Sequence, residues 1–405
     1  MRARDPRLIY LANGVIFVAM MRAYWTALAI RVAIDLALPP LQLVLLGTAM
    51  ELTILVSEVP TGVVADVVSR KLSVVLSFLL IGGAEIVAGS VSGFPALLAT
   101  QMLFGFGYTF QSGAETAWIT DEIGSAAEAE PLVLQRGRWQ MLAAVVGIGG
   151  GAALSLLTSL TTTIVIAGAV TLIWGVGLAV VMPEHGFSRR QSAGGSRSSI
   201  SEGLADMRDT FRLGTVAARR VPALRVLLVV MIMIGVASEA VDRLDLRRLD
   251  QVGLSADTNE IAAVAVIAAL QSALAGFALW LSRNRLSERR LATGLGVLLA
   301  LAGASIALLA VVPVLPVAAV GLVLQGAFRN AAGPVTVAWT NAHAESSHRA
   351  TIHSFVGQAE ATGEIGGGII LGSLAALTNV SLAMSCSVVL FIGASVLALR
   401  AERSW

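Results

Sequence analysis

Glu58-Val-Pro-Thr-Gly62-Val-Val-Ala-Asp66-Val-Val-Ser-Arg70-Lys71 is a polar island between two apolar runs, about 41–61 before it and about 72–92 after it. An apolar run of about 20 residues crosses a hydrocarbon core of about 30 Å as a helix. The island is therefore a short loop where one membrane crossing turns into the next. Working outward from it, the same pattern recurs and predicts twelve spans. They lie at about 8–30, 41–61, 72–92, 96–119, 133–157, 161–182, 222–242, 258–281, 291–312, 315–339, 351–376 and 380–399. Strand-like alternation is missing, so the fold class is an all-α membrane protein.

Composition agrees. Of 405 residues, 56% are hydrophobic and 13% charged, against about 25% charged in a soluble domain. A net charge of +2 is too small to imply a nucleic-acid partner, because the arginines sit in short loops beside apolar spans. The first run follows a basic leader, is too long for a signal-peptide core and has no small-residue cleavage site after it, so it is expected to be a retained helix. The single cysteine, Cys386, lies inside the last run. It excludes a disulfide or thiolate cluster within one chain and is expected to be a buried small residue.

Six spans fall on each side of one polar stretch. The expected domains are residues 1–183, a cytoplasmic linker 184–221, and residues 222–405. The linker opens Gly/Ser/Arg-rich around Gly194, then Ser199-Ile-Ser-Glu202 has capping-box spacing. Leu204, Met207, Phe211 and Leu213 follow at helical spacing, which predicts a helix lying on the membrane surface. Most of the 28 basic residues fall in segments on the side of the N-terminus, and only Arg31, Arg243, Arg247 and Arg248 fall on the other. By the positive-inside rule both termini and the linker are expected in the cytoplasm, with the chain in the cell inner membrane. The halves echo one another: Gly113-Ala-Glu-Thr-Ala-Trp-Ile-Thr-Asp121 matches Gly333-Pro-Val-Thr-Val-Ala-Trp-Thr-Asn341, and Gly149-Gly-Gly151 matches Gly366-Gly-Gly368. Transporters built from repeats behave this way.

The island between spans 2 and 3 resembles the major facilitator loop signature, Gly-x-x-x-Asp-(Arg/Lys)-x-Gly-x-(Arg/Lys)-(Arg/Lys), at the place in the topology where that family carries it. The resemblance covers the whole chain and implies two pseudo-symmetric six-helix bundles. It makes Gly62, Asp66, Arg70, Lys71 and Asp121 a cytoplasmic gate. Gly62 is expected to let helices approach, Asp66 to meet the N-terminus of the eleventh helix, and Arg70 to pair with Asp121. Position 67 is Val and position 69 Ser, where the family usually has a basic residue and Gly. The drug–proton antiporter branch usually has an Arg early in span 4, where this chain has Gln101, and a Gly-Pro in span 5, reduced here to Gly147-Ile-Gly-Gly-Gly151.

Ionisable groups at membrane depth cost several kcal/mol unless paired or hydrated, so each is a functional candidate. Glu51, Glu115, Glu360 and Glu364 are the proton-coupling candidates, with Glu360 and Glu364 four residues apart on one helical face. Glu51 with Arg22 and Glu364 with Arg329 are the expected ion pairs. Asn13, Arg22, Gln111, Gln271, Gln325, Arg329 and Asn330 are the substrate-cavity candidates. Glu239 and Asp242 are expected to balance Arg243 and Arg247, and Glu85 to face either lipid or a partner helix. His343, His348 and His353, spaced by five, do not line one helical face, so no metal site is expected. Tyr24, Trp25, Trp118, Trp139 and Trp339 are expected mostly as interfacial anchors.

These residues suit a monomeric secondary transporter working by alternating access, with protons as the coupling ion. The expected cargo is an amphipathic or cationic small organic molecule or drug, exported through a mixed-charge, mostly apolar cavity. Uptake or uniport of a nutrient, siderophore or lysolipid is the alternative. A membrane enzyme or a sensor is the remote one: the chain has no convergent catalytic set and no nucleotide-binding loop, and no cofactor is expected.

Overall fold

The computed structural model describes residues 5–187, 208, 212, 221–254, 259–282, 290–344 and 349–403. The expected surface helix at 199–213 lies almost wholly outside the described residues, as do the loop 283–289 and His348. Within them every regular element is helical.

The helices are α1 Pro6–Ile30, α2 Pro40–Val67, α3 Arg70–Ser90, α4 Phe94–Gln111, α5 Ala114–Ile123, α6 Ala126–Leu157 and α7 Leu160–Val181. Then come α8 Pro222–Gln251, α9 Glu260–Ser282, α10 Leu291–Val311, α11 Leu315–His343, α12 Arg349–Leu377 and α13 Val380–Arg403. A π-helical turn, Arg31–Asp35, continues α1. These account for all twelve predicted spans, with the fourth in two pieces, α4 and α5. Ten segments are by themselves long and apolar enough to cross a membrane. Span 4 is not among them, since α4 is long enough but carries Gln101, Gln111 and several small residues, nor is α12, which carries Glu360 and Glu364. Several helices overrun the predicted spans: α8 extends from 242 to Gln251, and α6 starts at Ala126 rather than 133. The polar ends Asp245–Gln251 and Ala126–Leu132 dilute an apolar window but are good helix formers.

Helix starts follow side-chain caps. Asp5 accepts from Arg7 N at 2.9 Å, Ser69 from Leu72 N at 2.9 Å, Ser159 from Thr162 N at 3.0 Å and Asn379 from Leu382 N at 2.8 Å. Each satisfies one of the amides that the first turn leaves without an intrahelical partner.

The chain forms two compact units, Met1–Arg31 with Leu52–Met207, and Val32–Glu51 with Arg208–Trp405. It passes from one to the other inside α2. In the first unit α3 packs on α7 and α4, and α1 on α6 and α7. In the second α8 packs on α12 and α13, and α10 on α13 and α11.

Close approach in both units rests on glycines four apart, which share a helix face. A Cβ on Gly147 or Gly151 of α6 would come 2.9 Å from the Cα of Ala19 or Ala23 on α1. On α12, a Cβ on Gly363 would come 3.0 Å from Val236 N and one on Gly367 2.5 Å from Val236 Cα, both on α8. The Gly-Gly-Gly echo is thus a shared packing device, displaced from its expected position. Gly149, Gly150 and Gly366 have nothing within 4 Å of such a Cβ.

A second correspondence was not legible as such. Arg31, just past α1, donates to Ala88 O at 2.5 Å near the end of α3. Arg248, near the end of α8, donates to Leu309 O at 3.1 Å and Val312 O at 3.3 Å at the end of α10. Both arginines are buried. They satisfy terminal carbonyls and sit at the negative end of a helix dipole, so they are more than loop charges. Tyr24, Trp118 and Trp339 are fully buried core residues, correcting the interfacial expectation; Trp139 is 48% exposed. Cys386 is half-buried and free.

Candidate functional site

Two polar clusters lie inside the spans, one in each unit. The first is built around Glu115 in the first turn of α5. Its Oε1 accepts from Asn13 Nδ2 of α1 at 2.7 Å. Its Oε2 accepts from Gln111 Nε2 at 3.0 Å and from Arg136 Nη2 of α6 at 2.6 Å. Asn13 Oδ1 in turn accepts from Trp174 Nε1 of α7 at 2.7 Å. The guanidinium of Arg136 lies 4.5 Å from the ring centroid of Tyr10. Gly14 leaves room for it: a Cβ there would be 2.9 Å from Arg136 Cγ. One carboxylate, one guanidinium and two amides meet in a site only 5% and 11% exposed at the two charges, with Gln111 Oε1 and Arg136 Nε left without a hydrogen-bond partner among the described residues. Arg136 is the residue that sequence reading misses: it lies at the start of the expected span 133–157, and what the sequence hides is its partner Glu115.

Glu115 stands where it does because span 4 breaks. Gly113 has φ +75, in the left-handed region that favours glycine. Ser112, Gly113 and Thr116 are exposed while Ala114 and Glu115 are buried.

The second cluster gathers charges from α2, α8, α11 and α12. Arg329 of α11 holds Asp242 of α8 with two parallel bonds, Nη1 to Oδ1 at 2.5 Å and Nη2 to Oδ2 at 2.7 Å, and touches Gln325 Oε1 at 3.3 Å. Glu239 pairs with Arg243 at 3.2 Å, and Arg247 with Asp250 at 3.2 Å. Glu51 lies within electrostatic reach of Glu239, Arg243 and Glu360, and Glu364 within reach of Glu51, Glu360, Glu239 and Asp242. Arg329 therefore pairs with Asp242, not with Glu364, and Asp242 is no mere balance for Arg243. The reason is geometric: the last predicted turn of α8 faces α11, so the carboxylate that meets Arg329 comes from α8 and not from α12. Arg22 is exposed on α1, in a different unit from Glu51.

Of the remaining cavity candidates, Gln271 of α9 donates to Leu322 O of α11 at 2.8 Å, and Asn330 is exposed. Glu85 is wholly buried where α3 meets α7, with both carboxylate oxygens unpartnered among the described residues. That settles the choice between lipid and partner helix.

At the other end of the first unit Arg70 forms the expected ion pair with Asp121 and also donates to Ala117 O at 2.7 Å. Around it the chain after α7 is fastened by groups the sequence did not signal. Trp118 Nε1 donates to Pro183 O at 2.7 Å, and Glu122 Oε1 accepts from His185 N at 2.6 Å and Gly186 N at 2.9 Å. Glu184 accepts from Ser69 Oγ at 2.7 Å and from Lys71 N at 2.9 Å. The departure at position 69 is thereby explained, since Ser69 both caps α3 and holds Glu184. Asp66 is half-buried. A Cβ on Gly62 would meet nothing within 4 Å among the described residues. His353 Nε2 contacts Asn341 Oδ1 at 2.9 Å, His343 Nδ1 contacts Trp339 O at 3.0 Å, and no metal-binding group of His, Cys, Asp or Glu occurs among the described residues.

No curated protein sequence matches the chain. Among solved structures it is similar to the nucleoside transporter NupG, with a TM-score of 0.75, 15% identity, and 99% of this chain and 98% of that one covered. It is also similar to a bacterial homolog of the human lysosomal transporter Spinster in an inward-facing, unoccupied conformation, with a TM-score of 0.75, 16% identity, and 99% of this chain and 98% of that one covered. A POT family transporter in complex with 5-aminolevulinic acid has a TM-score of 0.73 and 12% identity over 100% of this chain and 98% of that one. At such identities the likeness is one of fold. Family is given by sequence, for the model of the Major Facilitator Superfamily matches residues 11–317. Twelve spans in order, the loop signature between the second and third, and that match place this chain in the major facilitator superfamily, a family of membrane transporters.

Proposed function

We propose that this chain is a proton-coupled secondary transporter that exports an amphipathic or cationic small organic molecule by alternating access. It acts as a monomer in the cell inner membrane, with both termini cytoplasmic and with residues 1–183 and 222–405 as bundles joined by 184–221. The supporting observation is the charge count of the second cluster. Six carboxylates, Glu51, Glu239, Asp242, Asp245, Glu360 and Glu364, lie within reach of two guanidiniums, Arg243 and Arg329. A surplus of negative charge at membrane depth has to be neutralised, either by protons or by a bound cation. A site that takes one or the other, but not both together, exchanges them. Mutually exclusive occupancy is a coupling free energy between two ligands and is the physical basis of antiport. The Glu115 cluster is already closed by its own partners and serves as a fixed brace.

The test is flux of lipophilic cations such as tetraphenylphosphonium in proteoliposomes with an imposed proton gradient. Glu51→Gln and Glu364→Gln, which mimic the protonated acid, are expected to lose gradient-driven movement while keeping exchange of cation for cation. Full gradient-driven accumulation in both single variants and in the double variant would exclude coupling through these groups.

A further inference from the structure

Three carboxylates in the second cluster compete for one guanidinium. Arg329 is hydrogen-bonded to Asp242 alone among them, yet the charges of Glu360 and Glu364 also act on it. Asp242, Glu360 and Glu364 ride on one rigid pair, because α8 and α12 are locked at close approach through Gly235, Gly363 and Gly367. Arg329 rides on another element. Helix α11 packs chiefly on α10 and α9 and only lightly on α8 and α12. It carries Pro334 five residues beyond Arg329, where the ring removes a backbone hydrogen bond and lets the helix bend. Small displacements of α11 thus change the distance from Arg329 to a fixed set of acceptors.

We propose that Asp242 is a positioning residue that holds the Arg329 guanidinium off Glu360 and Glu364, and that a shift of α11 hands the guanidinium to this pair and expels its proton. The inference rests on reading that pair as a proton carrier. While Arg329 stays on Asp242, the pair shares a proton, since the charges facing it are Glu51 from α2, Glu239 and Asp242 from α8, and Arg329 from α11. When the guanidinium arrives, one carboxyl O–H bond breaks and the proton passes to water. The guanidinium keeps its own protons throughout. Asp242, with a side chain 47% exposed, is left to water when the guanidinium departs.

Infrared spectroscopy of the full chain in lipid at neutral pH tests this without a substrate. The signal is that part of the protonated-carboxyl stretching band which disappears in the E360Q/E364Q double variant, so that buried Glu85 does not contribute. Asp242→Asn is expected to lower it by about half or more, as the freed charge settles on the pair. Adding Arg329→Gln in that background is expected to restore it. Arg329→Lys loses the two-point hold on Asp242 and is expected to lower the signal too, which keeps the question open to measurement should Asp242→Asn not fold. A full signal in Asp242→Asn or in Arg329→Lys, or no recovery in the double variant, overturns the assignment. Tetraphenylphosphonium flux by the unaltered protein is measured alongside. Its absence with the infrared pattern intact removes the transport reading and leaves Asp242 its role; flux with an unresponsive band removes only the role of Asp242.

Discussion

Spans 4 and 10 occupy corresponding places in the two halves and solve the same problem in opposite ways. Each carries a glutamine four residues before a charge, Gln111 with Glu115 and Gln325 with Arg329, and in each the two side chains bond. Each has the matching glycine, Gly113 or Gly333. In span 4 the chain breaks at Gly113 and the charge is held by three partners from three helices. In span 10 the helix runs on through Gly333 and Pro334 and its charge is shared with carboxylates it does not fully satisfy. One half has a fixed polar lock and the other an exchangeable one. A repeat can keep its frame while one copy keeps the moving charge.

The sharpest way to break this comparison is to neutralise both charges. Glu115→Gln leaves Arg136 buried without a counter-charge and is expected to cost about 3–5 kcal/mol of stability. Arg329→Gln leaves the half-exposed Asp242 without its partner and takes one positive charge from Glu360 and Glu364, and is expected to cost less, because water reaches Asp242. Unfolding of the purified protein in detergent measures both, and equal losses would dissolve the distinction. A smaller effect is expected at the two glycines. Gly113→Val forces a β-branched residue to positive φ and is expected to cost about 1–3 kcal/mol. Gly333→Ala adds a Cβ that meets nothing within 4 Å and is expected to be neutral or to gain up to about 1 kcal/mol. A penalty at 333 matching that at 113 would show that both spans need a flexible point. The smallest effect belongs to the far ends of spans 4 and 10, where Asp121 pairs with Arg70 and the corresponding Asn341 contacts His353. That ion pair is part-exposed, so Asp121→Asn is expected to cost about 0.2–1 kcal/mol, less at high salt. A loss that salt leaves unchanged would place the charge in a drier setting than the structure gives it.

The spans and their order were legible because twenty-residue apolar runs leave few alternatives, and the signature was legible by its charges, although all of it but Val68 and Ser69 lies in the ends of α2 and α3. Arg70 with Asp121 followed from topology alone. What the sequence hid was depth. Arg31 and Arg248 looked like outer-side charges, because hydropathy marks where a run is apolar and not where the helix stops. Partner choice was hidden as well: Arg136 and Asp242 both lie at the ends of expected spans, and nothing in the spacing says that they meet Glu115 and Arg329. The break at Gly113 left no signal either, since a single glycine in an apolar run is tolerated within a helix.

That break has a consequence for solvent. Within hydrocarbon, irregular backbone survives only where protein covers it or water reaches it, and Ser112 and Gly113 are uncovered. Gly113 supplies no side-chain cap to the first turn of α5. Span 4 therefore has a wet point about 12 Å along the axis from Asp121, at about 1.5 Å per residue. In hydrogen exchange, the amides of Ala114 to Thr116 are the ones that should trade their protons for deuterium quickly, between two stretches of α4 and α5 that hold theirs.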